Sequence, residues 1–197
     1  MIRSLEETEM PEQLSLFGPG QLRRLFFAIQ PDGAASLRVA ELIEQLRARG
    51  AMSGRPVEPE RLHVSLHHLG DFNDQMPPSV LSTAVAAAAE AVATDPFEIA
   101  FDRAGGTKGP FLLRASDGAP VLQAFQKSLN VALARTGFRR TSRARFTPHM
   151  TLSYSVNNAK ERRIEPVSWP VRDLVLIESL YGKHRYILRG HWPLYRR

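Results

Sequence analysis

The chain has 197 residues, 43% hydrophobic and 23% charged, no cysteine and a formal net charge of +6. That is the composition of an ordinary soluble globular protein with enough chain for a core in one domain or two joined lobes, and it excludes a disulfide framework, a thiolate metal site and a cysteine nucleophile. The charge is unevenly spread: residues 1–99 carry 8 Lys+Arg against 14 Asp+Glu and residues 100–197 carry 18 against 6, which favours an anionic partner such as nucleic acid or a phosphate ester over a merely solvated basic surface.

Residues 1–19, ending "LFGP", have four Glu, two Pro and no sustained period, and read as a mobile tail ahead of a single domain over 20–197. The first segment is acidic where a secretory signal would be basic and apolar. No apolar run approaches the ~18–20 residues of a membrane span, so a cytoplasmic protein is expected. "QLRRLFFAIQ" is a short aromatic strand. Pro31 breaks it, and Asp32 caps a helix over about 33–49 with Leu37, Ala40, Ile43 and Leu46 on one face and Gly50 as terminator. "RLHVSLHHL" follows as a strand, then a Pro-started, Ala-rich helix ending before Pro96. "FEIAFDRA" and "PFLLRA" read as strands around a glycine turn, "GGTKG". A third helix has apolar residues at 121, 122, 125, 129 and 133, and Gly137 closes it. Strands around "FTPHMTLSYS", "VRDLVLIESL" and "HRYILRGHWPL" finish an α+β chain with mainly antiparallel sheets.

One long-range echo stands out. His63-Val64-Ser65-Leu66 and His149-Met150-Thr151-Leu152 both read His-x-(Ser/Thr)-Leu, 86 residues apart. Side chains alternate along a strand, so each motif offers an imidazole and a hydroxyl on one face and buries the intervening apolar residues. Two such strands facing a cavity suit displacement at phosphorus. One histidine takes a proton from the attacking oxygen, and the other gives one to the leaving oxygen. Imidazole, with a reference pKa near 6.5, permits one neutral and one charged partner near pH 7. The hydroxyls donate to non-bridging phosphate oxygens, and no metal or other cofactor is needed.

Over residues 22–195 the chain resembles the two-histidine phosphoesterases, in particular the RNA 2′,3′-cyclic phosphodiesterases also called 2′-5′ RNA ligases. The resemblance rests on the two motifs in "RPVEPERLHVSLHHLG" and "RFTPHMTL", supported by "RLFFAI" and "SLYGKHRYILRGHWPL". It implies a bilobal fold with pseudo-twofold symmetry, two sheets flanked by helices and one motif at each side of a central cleft. It implies metal-independent opening of a 2′,3′-cyclic phosphate end of RNA to a 2′-phosphate, with weak reverse ligation. His63 and His149 correspond to the acid/base pair, and Ser65 and Thr151 to the phosphate-binding hydroxyls. Two positions depart from the family. His68 stands where relatives often place an aromatic residue, and Tyr154 where they often place an arginine. Both bear on substrate contacts, which opens a second reading: a small nucleotide substrate such as ADP-ribose cyclic phosphate. A third is a non-catalytic RNA- or nucleotide-binding module that keeps the cleft.

His63 and His67 stand i, i+4, a metal-pair spacing on a helix but not on a strand, and no metal site is expected. Alternation places His67 on the face of His63 and His68 on the other, unless the strand ends or bulges. Arg139, Arg140, Arg143 and Arg145 in "FRRTSRARF" form a candidate phosphate-tracking lip, Arg143 and Arg145 being nearest His149. Lys183, His184 and Arg185 either join them or form a basic hairpin turn. In the tail, Gln13, Leu14, Leu16 and Phe17 of "QLSLF" resemble the short motif that docks on the bacterial DNA polymerase sliding clamp.

Overall fold

A computed structural model describes residues 21–73, 75–138 and 145–196. The expected tail, its Gln13, Leu14, Leu16 and Phe17, and Arg139, Arg140 and Arg143 of the arginine lip lie outside the described residues. Among the described residues, six strands and three α-helices follow in the order β1 (Leu22–Ile29), α1 (Gly33–Ala48), β2 (Val64–Asn73), α2 (Pro78–Ala91), β3 (Phe97–Arg114), α3 (Pro120–Arg135), β4 (His149–Val171), β5 (Asp173–Leu180) and β6 (Arg185–Pro193). They form a four-stranded sheet, β2-β1-β5-β6, and a two-stranded ladder of β3 with β4. Every strand pair is antiparallel, so the α+β fold with two antiparallel sheets is present, its sheets unequal in size.

β1 alternates between two environments, as its sequence requires. Leu25, Phe27 and Ile29 enter the main core with the buried faces of the helices. Phe26 and Ala28 join Val175, Ile177 and Tyr186 on the other face of the sheet. The Asp32 carboxylate accepts from the Ala35 amide at 2.8 Å and starts α1, and Gly50, with φ of +63°, follows its end. The buried stripe is Ala35, Val39, Ile43 and Leu46, not the one through Leu37, which is 69% exposed. At about 100° per residue, nine residues put Leu37 half a turn from Leu46.

The glycine-rich "GGTKG" is not a turn. β3 runs through it as one 18-residue strand against the 23-residue β4. The glycines allow the two backbones to close up: a Cβ on Gly105 would lie 2.6 Å from the Glu161 Cα. The segment leading to β2 is stitched to β4. Pro56 bridges to Ser153, the Val57 amide donates to the Leu152 carbonyl at 2.8 Å, and the Ser153 hydroxyl donates to the Ser53 carbonyl at 3.1 Å. At the far side of the large sheet, the buried Glu178 is held between Arg23 of β1 and Arg189 of β6, tying down the β5–β6 hairpin.

β2 carries a bulge. Ala28 pairs with Ser65 but Phe27 pairs with His67, leaving Leu66 as the extra residue. Leu66 and His67 are therefore both buried in succession. Helix α3 accepts the distortion with two side chains one turn apart: Gln126 Nε2 donates to the Leu66 carbonyl at 3.1 Å, and His67 Nδ1 lies 2.6 Å from Asn130 Oδ1. Gln126→Leu strips the buried Leu66 carbonyl of this donor and is expected to lower stability by ~1–3 kcal/mol. A urea midpoint equal to that of the unsubstituted chain would count against this account of the bulge.

Candidate functional site

The bulge decides which histidine of "HVSLHHLG" faces the cavity. Strict alternation puts His67 beside His63. The extra residue at Leu66 reverses the phase, so His67 turns inward to Asn130 while Ser65 and His68 share the open face. His67 is thus buried and not on the face of His63.

The open face lines a cavity of about 750 Å³. His63, Ser65 and His68 come from β2 or its lead-in, Arg24 and Phe26 from β1, Tyr154 from β4, and Tyr181, His184 and Tyr186 from the β5–β6 hairpin and β6. His63 sits with its ring centroid 5.1 Å from that of Phe26 and 5.6 Å from that of Tyr186. Its Nδ1 lies 2.8 Å from the Arg61 carbonyl, which can only accept, so Nδ1 carries the proton. Nε2 of the neutral ring is then an acceptor, and the Ser65 hydroxyl donates to it at 3.1 Å. Burial among these rings pulls the His63 pKa down from 6.5 to about 4; the charges of His149 and Arg61 add to the fall, and the Arg61 carbonyl opposes it.

His149 repeats the arrangement. Its Nδ1 lies 2.8 Å from the Thr147 carbonyl, two residues back, so Nδ1 again holds a proton and Nε2 is the outward atom. It opens β4 opposite Arg114, and Thr151 pairs with Leu112, which leaves Met150 and Leu152 fully buried behind them. His149 is close enough for its charge to act on His63, although the cavity wall itself is formed by His63 and Ser65 and not by His149 or Thr151.

The other end of the cavity is a polar corner. Arg24 grips Asp71 with two bonds, Nε to Oδ1 at 2.9 Å and a terminal nitrogen to Oδ2 at 2.8 Å. His68 Nε2 donates to the same Oδ1 at 2.8 Å. The Arg24 hydrogen bond is the main force holding the Asp71 carboxyl below the usual carboxylate range, with His68 adding to it against the opposing effect of burial. Tyr154 of β4, 58% exposed, and Tyr186 of β6 both line this cavity.

His68 and Tyr154 therefore meet on one cavity. Arg145 is exposed just before β4, Lys183 is exposed in the hairpin, and neither lines the wall. His184 does, so this part of the "YGKHRY" segment belongs to the site. Arg24, Arg61, Tyr181 and Tyr186 do not stand out in the sequence. A signal exists for two of them: Arg24 shares a strand face with Phe26, and Arg61 stands two residues before His63. Among the described residues no three His, Asp or Glu side chains converge to hold a metal ion, and no helix is long and apolar enough to cross a membrane.

The model of the 2′-5′ RNA ligase superfamily matches residues 31–182. Among solved structures, Escherichia coli LigT in its apo form superposes with a TM-score of 0.68 at 24% identity over 89% of this chain and 99% of that one. LigT complexed with 3′-AMP gives 0.67 at 26% identity over 89% and 100%. A Thermus thermophilus protein, TT0787, gives 0.65 at 22% identity over 87% and 97%. No curated protein matches the chain.

The depressed pKa has a direction that can be checked. Between about pH 4 and 6.5 the unfolded chain binds more protons at this residue than the folded one, so the stability that neutral His63 contributes is lost as pH falls through that window. An NMR titration of the ligand-free protein is expected to show His63 neutral down to about pH 4. A midpoint at or above 6.5 would mean that its ring is solvated.

Proposed function

The chain belongs to the 2′-5′ RNA ligase superfamily, and from that premise we propose that it opens 2′,3′-cyclic phosphate ends of RNA to 2′-phosphates, without a metal, by two-histidine acid/base catalysis. The observation that carries this reading is the repeated imidazole geometry. Each motif histidine spends its Nδ1 proton on the carbonyl two residues earlier and keeps Nε2 outward, and His63 registers the charge of His149. A tautomer fixed by a backbone carbonyl leaves one nitrogen free for proton transfer.

The two histidines take different roles. His63, with its pKa near 4, is neutral at pH 7, and its Nε2 lone pair takes a proton from the attacking water. The water oxygen bonds to phosphorus, the bond from phosphorus to the 3′ oxygen breaks, and the His149 Nε2 proton passes to that departing oxygen. The product is a 2′-phosphate beside a free 3′ hydroxyl. Ser65 and Thr151 donate to the non-bridging oxygens, where charge grows. With an RNA 5′ hydroxyl in place of the attacking water, the same groups would join two ends through a 2′-5′ linkage.

A small nucleotide cyclic phosphate is the second reading. The polar corner of Arg24 and His68, both held by Asp71 behind them, favours it, because it gives the cavity a built wall on the scale of one nucleotide. LigT, at 26% identity, has been crystallised with 3′-AMP, a single nucleotide. Competing a cyclic-phosphate-ended oligonucleotide against ADP-ribose cyclic phosphate in one reaction separates the two.

In EDTA, the wild-type chain is expected to convert a cyclic-phosphate-ended oligonucleotide to the 2′-phosphate. His63→Ala and His149→Ala should each slow it by ~10²–10⁴-fold with circular dichroism unchanged. Two folded variants that retain wild-type turnover would end this mechanism. Thr151→Val, which keeps shape and loses the hydroxyl, should slow turnover by about 10²-fold; an unchanged rate removes Thr151 from the phosphate.

A further inference from the structure

We propose that Arg61 is a catalytic residue: the cation that meets the non-bridging oxygens of the reacting phosphate. This rests on the cyclic-phosphate reading above and adds to it a charged group from outside the two motifs.

Attack on a cyclic phosphodiester places a second negative charge on the phosphoryl oxygens before the 3′ oxygen leaves. The hydroxyls of Ser65 and Thr151 are neutral donors, and His63 is neutral at pH 7. The wall that holds His63 and Ser65 contains no carboxylate and two guanidinium groups, Arg24 and Arg61. Arg24 is committed: two of its three nitrogens bind Asp71. Arg61 is held differently. One terminal nitrogen donates to Glu58 Oε2 at 3.0 Å and lies 3.3 Å from His184 Nδ1. Its Cζ stands 4.7 Å from the centroid of Tyr186, and its Nε is buried with no hydrogen-bond partner. Glu58, His184 and Tyr186 thus fix the position of a fork that is tied through one terminal nitrogen to Glu58 and His184 and still lines the cavity beside His63. With 14% of its side chain exposed, the group remains in reach of the cavity.

Its place in the chain supports the assignment. The Arg61 carbonyl orients His63, so the residue that sets the tautomer also carries the charge, and the two cannot drift apart. Arg61 transfers no proton, since guanidinium stays charged throughout the working range. It compensates charge while the protons move between water, His63, His149 and the 3′ oxygen. A preorganised donor of this kind is worth ~10²–10³-fold in rate.

The test uses the full chain and an oligonucleotide ended by a 2′,3′-cyclic phosphorothioate, one diastereomer at a time. Sulfur in the oxygen position that faces Arg61 should slow the wild type more than sulfur in the other. Arg61→Gln should lower kcat by ~10²-fold on the all-oxygen substrate and abolish the preference between diastereomers. Arg61→Lys, which keeps charge without the fork, should recover part of the rate. A folded Arg61→Gln that keeps the wild-type diastereomer preference overturns the proposal and leaves Arg61 as a structural tie between the motif and the hairpin. If the wild type opens no cyclic phosphate, the functional reading fails by itself. Arg61 is then judged by titrating inorganic phosphate and following the His63 ring by NMR: about tenfold weaker binding in Arg61→Gln upholds it as a phosphate ligand, and equal binding overturns it. Should Arg61→Gln not fold, Arg61→Lys carries the same comparisons.

Discussion

The site depends on a short backbone stitch between two distant parts of the chain. Val57 donates to Leu152, and Pro56 bridges to Ser153. Leu152 closes the second motif, and Val57 lies six residues before the first motif histidine. Fixing these atoms at hydrogen-bond distance leaves only short, ordered spans on either side: the Pro59–Arg61 turn before His63, and a three-residue stretch of strand back to His149. Two imidazoles on separate sheets are thereby brought within electrostatic reach. Residues 53–57 carry no chemistry themselves; their attachment adds to the shared core, in which Val64 and Leu66 pack in one cluster with Met150 and Leu152, to hold the motifs together.

Around that stitch the electrostatics are asymmetric although the local geometry repeats. Both histidines orient Nδ1 by a carbonyl two residues earlier. His63 is enclosed by Phe26 and Tyr186 and loses affinity for its proton, while His149 is exposed at the start of its strand. Similar motifs thus sit in unequal surroundings. The carboxylates Glu58 and Asp71 stand behind Arg61 and Arg24 rather than on the cavity wall, leaving the wall with a net positive character.

Much of this is legible in the sequence. The two motifs, their strand setting, the helices with their caps and the antiparallel sheets all follow from period, punctuation and residue type. The bulge at Leu66 is not, because "SLHHL" satisfies alternation with either histidine inward; Gln126 and Asn130, some sixty residues away, decide the matter. "GGTKG" misleads because glycine serves turns and close backbone approach equally well, and only the partner strand distinguishes them. The second half of β4 is hard to read because "AKERRIEP" is mostly solvated. Its Val167, Trp169 and Val171 do alternate inward, a signal too short to stand out beside two prolines. Arg61 and Arg24 belong to no motif, and their roles arise from tertiary neighbours.

The strand order β2-β1-β5-β6 also has a consequence for how the protein comes into being. β1, at residues 22–29, lies between β2 and β5, and β5 spans residues 173–180. During synthesis the first strand must wait for more than a hundred intervening residues before its second neighbour exists. Contacts of such long sequence separation close slowly. A nascent chain that has already made both histidine motifs still lacks Tyr181, His184 and Tyr186, and with them one wall of the cavity. Competence therefore arrives late and as a unit, so that truncated translation products carry the signature residues without the pocket that gives them meaning.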